Sequence, residues 1–288
     1  MIRTIGIGDN VCDKYRHLSQ MFPGGQALNF AVYSSMEKQQ SAYLGVFGND
    51  AVAAHVKHVL DLLRVDRSHC REYPEENGFA MVDLKNGDRV FVTSNKGGAL
   101  RNHPLVLSQE DLQYLNEFDV MHTSNNSYIL EELPKLQKLN GILSYDFSGS
   151  WKDEEQTQKI CPYLNAAFLS CSSLSKEEVQ DLEIKMYGWG CGLITATRGE
   201  KGAILYDGNR FYENVPHLVK AVDTLGAGDS FATGVLLVYG ESRKEGLLQK
   251  NSEAYREMIK RAMEKGAELS AKTCMTYGAF GYGTQMVP

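Results

Sequence analysis

Short runs of apolar and β-branched residues alternate along the chain with longer stretches whose apolar positions recur every three or four residues. The runs at 4–7, 42–47, 120–123, 142–147, 167–171 and 193–196 predict strands. Between them, residues 50–63 carry Val52, Val56, Val59, Leu60 and Leu63 on one helical face. Tyr255, Met258, Ile259, Ala262, Met263 and Ala267 stripe another helix further on. Ser108-Gln-Glu-Asp111 and Ser175-Lys-Glu-Glu178 each place a hydroxyl at a helix start and a carboxylate three residues later, the pattern of a capping box. Strands alternating with helices are the signature of parallel βαβ units, so the predicted class is α/β, a mostly parallel sheet flanked by helices.

One stretch breaks the rhythm. Residues 79–92 read as two strands around Asn86-Gly87, a turn pair whose residues tolerate positive φ and so favour hairpins. A hairpin cannot continue a crossover pattern. It must form an edge or a separate small sheet, either a mobile lid or an edge without a role. No repeat, low-complexity tract or linker interrupts the sequence, and residues 1–288 are expected to form a single domain.

Composition then narrows the partners. Apolar residues make up 43% and charged residues 23%, ordinary globular values that exclude a disordered or fibrous chain. Thirty Lys and Arg against 36 Asp and Glu leave a net charge of −6, so there is no basic footprint for nucleic acid. No stretch approaches the roughly 18 apolar residues of a membrane span, and MIRTIGIGDN has no long apolar leader core. Cys12, Cys70, Cys161, Cys171, Cys191 and Cys274 form no C-x-x-C pair and are expected to be small buried residues of a reducing compartment. A cytoplasmic protein acting on a small molecule is expected, with neither nucleic acid nor membrane as partner.

The segment Val222-Asp-Thr-Leu-Gly226-Ala227-Gly228-Asp229-Ser-Phe231, followed by an apolar run, carries the most chemical information. Small residues at 226–228 let the backbone turn tightly, and the apolar run reads as a buried helix beginning there. A helix start with unpaired amides attracts phosphate without any cationic side chain. Asp229, at the same helix start, is expected to stay ionised because the positive dipole end lowers a carboxylate pKa. Two roles fit it: a base accepting a hydroxyl proton from a nucleophile approaching that phosphate, or a simple helix cap. Upstream, Gly8-Asp9-Asn10-Val-Cys-Asp13 ends the first strand and Pro23-Gly-Gly25-Gln-Ala-Leu-Asn29 opens a helix. Asp9, Asp13 and Asn29 there suit sugar hydroxyls, although the same residues serve any strand–turn–helix junction. No Gly-Lys dipeptide and hence no P-loop occurs, and Gly6-x-Gly8 lacks the third glycine of a dinucleotide fingerprint.

Together these pieces resemble the ribokinase-like (PfkB) carbohydrate kinases. Asp223-Thr-Leu-Gly-Ala-Gly-Asp229 is similar to the family's C-terminal signature, and Gly24-Gly25-x-Ala27-x-Asn29-x-Ala31 to its N-terminal sugar motif. Thr197-Arg-Gly199-Glu-Lys-Gly202 is similar to its nucleotide-side segment. Within the family, Gly8–Tyr15, Met21–Gly25, Gly87–Phe91 and Asp146-Phe-Ser148 resemble segments of the fructoselysine 6-kinases, which phosphorylate the 6-hydroxyl of a fructosyl amine with ATP.

The resemblance implies a ribokinase-like α/β fold with a small β lid, its segments at about 13–22 and 77–98. It implies Asp229 as base and Gly226, Ala227 and Gly228 as anion hole. Asp13, Gly25, Asn29 and Arg89 become substrate contacts, Arg89 standing against the simpler role of a cation guarding an exposed edge. Thr197, Gly199 and Gly202 become nucleotide contacts, and Asp223 and Thr224 lie in the loop where some members hold a monovalent cation. ATP with Mg2+ is the implied phosphoryl source. The family's N-x-x-E after the strand at 167–171 is missing: Ser172 stands near the Asn position, and Ser175 and Glu178 account for each other as a capping box, so no metal ligand is assigned. The alternatives are a kinase of another sugar or nucleoside, such as fructose or ribose, and a non-catalytic ligand-binding relative. Pairing of two copies through the lid edge completes the expectations.

Overall fold

The structure, a computed structural model, describes the backbone of residues 1–85 and 88–287 and the side chains of all of these but 84, 85 and 88–90. In chain order the strands begin with β1 (Arg3–Gly8), β2 (Val11–Tyr15), β3 (Gln20–Gly24), β4 (Gln40–Phe47) and β5 (Arg71–Glu72). Next come β6 (Phe79–Lys85), β7 (Asp88–Ser94), β8 (Val120–Ser124), β9 (Ile142–Ser148) and β10 (Ala166–Ser170). The last are β11 (Ile194–Thr197), β12 (Ala203–Tyr206), β13 (Phe211–Asn214) and β14 (Thr284–Gln285).

They form two sheets. The larger has the order β13-β12-β11-β10-β9-β8-β1-β4-β5 and is parallel from β11 to β5, with β12 and β13 added antiparallel. The smaller has the order β14-β3-β2-β6-β7, antiparallel except where β2 meets β6. This is the predicted class, a mostly parallel sheet flanked by helices, with the small sheet as lid.

Side chains alternate across a strand, so the large sheet feeds two cores. Met121 and Leu143 point to one of them, while Val120 and Ile142 point to the other, which is covered by the helices Ala227–Lys244 and Glu253–Thr273. Phe231, Val235 and Leu236 of the first helix meet Tyr255, Met258, Ile259 and Met263 of the second in that core, which is why the apolar stripes recur at helical spacing. Both capping boxes form: Ser108 and Asp111, and Ser175 and Glu178, satisfy each other's helix-start amides.

Six strands of the large sheet, β1, β4 and β8 to β11, match the predicted runs to within two residues, whereas the two-residue β5 matches none. The hairpin strands pair as β6 and β7, while Asn86 and Gly87 lie outside the described residues. The hydrophobic pattern alone did not reveal β2, β3, β12, β13 or β14. Tyr15, Phe22 and Val82 give the small sheet its own apolar cluster, against which Leu18 and Leu225 pack. Among the described residues no helix is long and apolar enough to cross a membrane.

Candidate active site

The helix Ala227–Lys244 begins at Gly226, whose φ of +75° is a left-handed conformation that glycine adopts without a Cβ penalty. A Cβ here would lie 2.5 Å from Tyr33 Oη and 2.7 Å from Ala279 Cβ. No side chain caps this helix. The Ala227 N–H donates to Thr224 O across a long 3.3 Å. Gly228 is different: a Cβ there would meet nothing within 4 Å. Ala227 and Gly228 border a cavity of about 570 Å3, whose other walls include Thr197, Gly199, Gly202, Ser170, Ser172, Leu218 and Ala271. All three predicted nucleotide residues therefore share one cavity with the start of this helix.

Asp229 follows one residue later, its Oδ2 accepting a hydrogen bond from Asn29 Nδ2 at 2.6 Å. Burial pushes its pKa up to about 8, with the charge of Asp146 the next cause and Asp9 and Asp13 adding to it; only the Asn29 amide opposes. The expected lowering by the helix dipole is overturned. A dipole end is worth a fraction of a charge, and here burial and three carboxylates act against it. Asp146 lies two residues before the end of β9, buried, its Oδ1 accepting from Ser148 N at 2.6 Å. Burial, with the Asp9 charge adding and hydrogen bonds from Ser148 and Gln26 opposing, raises its pKa to about 6.

Asp9, read from the sequence as a sugar contact, is committed elsewhere. Its two oxygens accept from the backbone N–H groups of Gln26 and Ala27, at 2.7 and 3.1 Å, and from the hydroxyls of Ser124 and Ser127. It therefore caps the helix Gln26–Met36 and ties that helix to the end of β8. Asn10 is likewise structural, donating to Tyr43 Oη and Val46 O and accepting from Asn77.

Asp13 sits on β2 opposite Phe22 of β3, buried, with its carboxylate over Gly24, where a Cβ would lie 2.4 Å from Oδ2. Gly25, at φ +111°, precedes the helix; a Cβ would lie 2.8 Å from both Asn10 Cα and Asp9 O. Asn29, one turn into the helix, is 3% exposed and its Oδ1 has no hydrogen-bond partner. Asp13, Gly25 and Asn29 thus belong to one corner between the two sheets, and Asn29 joins it to Asp229. Arg89 lies on β7, and its side chain is outside the described residues.

A match to the pfkB family carbohydrate kinases covers residues 11–279. The chain belongs to that family. The PfkB kinase is 38% identical to the fructosamine kinase FrlD of Bacillus subtilis (strain 168) over 98% of this chain and 94% of that protein. It is 30% identical to the fructoselysine 6-kinase of Escherichia coli (strain K12), over 95% and 98% of the two chains. In three dimensions it resembles the Arabidopsis thaliana ribokinase complexed with ribose and ATP, with a TM-score of 0.80, 16% identity and coverage of 98% and 95%. It is thus an ATP-dependent sugar kinase with a ribokinase-like fold.

Around the cavity of this PfkB kinase, sequence reasoning passed over two features. Asp146 was noticed only as part of a family-like segment, yet its charge bears on Asp229 from a distant strand. Asp223 was read only as part of a cation-holding loop, yet its carboxylate accepts hydrogen bonds from Tyr15 Oη, Leu225 N and Gly278 N. For magnesium the fit is poor. Among the described residues no three His, Cys, Asp or Glu side chains group as a cation cage. Glu178 is committed to its capping box.

Proposed function

We propose that this PfkB kinase transfers the γ-phosphoryl group of ATP to the 6-hydroxyl of fructoselysine or a related fructosamine. The carrying observation is the Asp229 carboxylate, held by Asn29 at the helix start that opens on the cavity. The nucleotide lies along Thr197, Gly199 and Gly202, with its terminal phosphate at the turn of Gly226, Ala227 and Gly228. The sugar lies against Asp13, Gly25, Asn29 and Arg89, beneath the lid strands. Buried and without a partner, Asn29 Oδ1 is a ready acceptor for a sugar hydroxyl.

The 6-hydroxyl oxygen forms a bond to the γ-phosphorus as the bond to the β–γ bridging oxygen breaks and ADP leaves. Asp229 takes the hydroxyl proton. Its raised pKa makes it a stronger base once ionised, at the cost of being partly protonated near neutrality. The backbone amides at the helix start stabilise the phosphoryl oxygens during transfer. Among the described residues no side chains form a cage for magnesium, which would neutralise phosphate charge through phosphate oxygens and water.

Several further parts belong to the same proposal: a single domain with lid segments near 13–22 and 77–98, a monovalent cation in the Asp223–Thr224 loop, a cytoplasmic location, and pairing of two copies through the lid. Exposed Phe91 and Val92 on the edge strand β7 support the pairing. The similarity to FrlD favours a fructosamine over fructose or ribose. An ATP-coupled assay with fructoselysine, fructose and ribose, with mass detection of the product, tests the proposal. Phosphorylation at the 6-position of fructoselysine with the highest kcat/KM is expected. A clear preference for free fructose or ribose would overturn the substrate assignment.

A further inference from the structure

We propose that Tyr15 is a positioning residue that couples the lid to the phosphate-binding turn through the Asp223 carboxylate. Tyr15 ends β2, a central strand of the small sheet, and is 2% exposed. Its hydroxyl donates to Asp223 Oδ2, which also accepts from Gly278 N at 3.0 Å, while Asp223 Oδ1 accepts from Leu225 N at 3.0 Å. One carboxylate therefore joins a lid strand to the residue immediately before Gly226.

A second contact between the same two parts is apolar. Leu225 packs against the lid cluster of Tyr15, Phe22 and Val82, and the Tyr15 and Phe22 rings meet edge to face at 5.1 Å. Phe22 in turn presses on the tail segment, where a Cβ at Gly278 would lie 2.6 Å from Phe22 Cβ. The turn that cradles phosphate is thus held from the lid side by a side chain that the proposed sites for sugar and nucleotide do not include.

A single carboxylate that accepts from Tyr15, Leu225 and Gly278 at once fixes three segments relative to one another, so it suits a contact that must define a geometry. With the lid seated, Tyr15 pins Asp223, and Asp223 fixes the Leu225 amide and the direction in which residues 226–228 enter the helix. When the lid lifts, Tyr15 leaves with β2 and the turn loses that restraint. Phosphoryl transfer is thereby tied to a covered sugar, and transfer to water in its absence is suppressed.

This inference rests on the proposed kinase reaction, so wild-type phosphorylation of a sugar is measured first; if no sugar is phosphorylated, that reaction and not the coupling has failed. Tyr15→Phe keeps the ring and removes only the hydroxyl. A roughly tenfold or greater fall in kcat is expected, with the sugar KM and the ADP Kd measured without sugar each within about threefold of wild type. A Tyr15 that merely shaped the sugar pocket would raise KM and leave kcat. In an Asp223→Ala background, Tyr15→Phe should cost much less than in the wild type, because the alanine has already removed the acceptor. A kcat for Tyr15→Phe within twofold of wild type, a loss confined to KM, or equal effects in both backgrounds would overturn the coupling. If Tyr15→Phe lowers Tm by more than about 5 °C, Tyr15→His supplies the kcat-against-KM comparison instead.

Discussion

The two glycines of the Gly-Ala-Gly turn occupy opposite environments, and exchanging each for alanine separates folding from catalysis. Gly226 has φ +75°, and its missing Cβ would sit 2.5 Å from Tyr33 Oη and 2.7 Å from Ala279 Cβ. A left-handed alanine costs about 1–2 kcal/mol, and overpacking a filled site adds about 1–3 kcal/mol. Gly226→Ala should therefore lower stability by about 2–5 kcal/mol, and Tm by about 5–10 °C. Gly228 lies in the first helical turn, and its Cβ would meet no protein atom within 4 Å, so Gly228→Ala should be neutral or stabilise by up to about 1 kcal/mol through helix propensity. The new methyl group would face the cavity that Gly228 lines, where the phosphate is proposed to dock. Displacing that phosphate by ~1 Å is enough to cost about a hundredfold in rate. Thermal melts and an ATP-coupled assay on both variants give the comparison. A Gly228→Ala enzyme that keeps wild-type kcat/KM for ATP would refute the phosphate placement, and one destabilised as much as Gly226→Ala would refute the packing account.

Four further outcomes follow from the ionisable groups. Asp229→Asn should leave the fold intact and lower kcat by at least about a hundredfold, as measured by initial rates at saturating sugar and ATP. Because the carboxylate must be ionised to accept a proton, wild-type kcat/KM should rise with pH through about 8 and level off above it. Asp146→Asn removes the largest charge acting on Asp229, so that rise should move to lower pH; a profile that stays in place would deny the interaction. Glu183 is buried with neither carboxyl oxygen in a well-formed hydrogen bond, and burial, opposed only by the nearby Ala196 backbone, pushes its pKa up to about 9. Between pH 4.5 and 9 the unfolded chain has released this proton and the folded chain has not, so stability falls as pH rises through that window. Glu183→Gln removes the penalty and should stabilise the protein by about 3 kcal/mol at pH 7 and by little at pH 4.5, as read by denaturant titration at both values.

Much of the large sheet was legible because its parallel strands, apart from the two-residue Arg71–Glu72, are short apolar runs, and the helix Ala227–Lys244 because its buried face is continuous. The strands at 11–24 were harder to see: Asp13 and Lys14 are buried in the small sheet, so polarity did not alternate with exposure there. Likewise, β14 spans two residues and exists only because β3 offers an edge. In the site, Asp229 and its glycines stood out locally, since a helix start is a local object. Asp9 did not, because Ser124 and Ser127, more than a hundred residues away, decide what it does. The direction of the Asp229 shift was missed for the same reason, since its burial and the charges of Asp146 and Asp9 are set by distant parts of the chain.

The small sheet draws residues 11–24, 79–94 and 284–285 together, whereas each strand of the large parallel sheet from β8 to β11 pairs with its neighbour in sequence. Closing such long loops is entropically slow, so β8 to β11 are expected to pair first and the cover over the proposed sugar side to form last. On this topology, substitutions at the β3–β14 seam are expected to lengthen the interval in which a new copy has its acceptor side open.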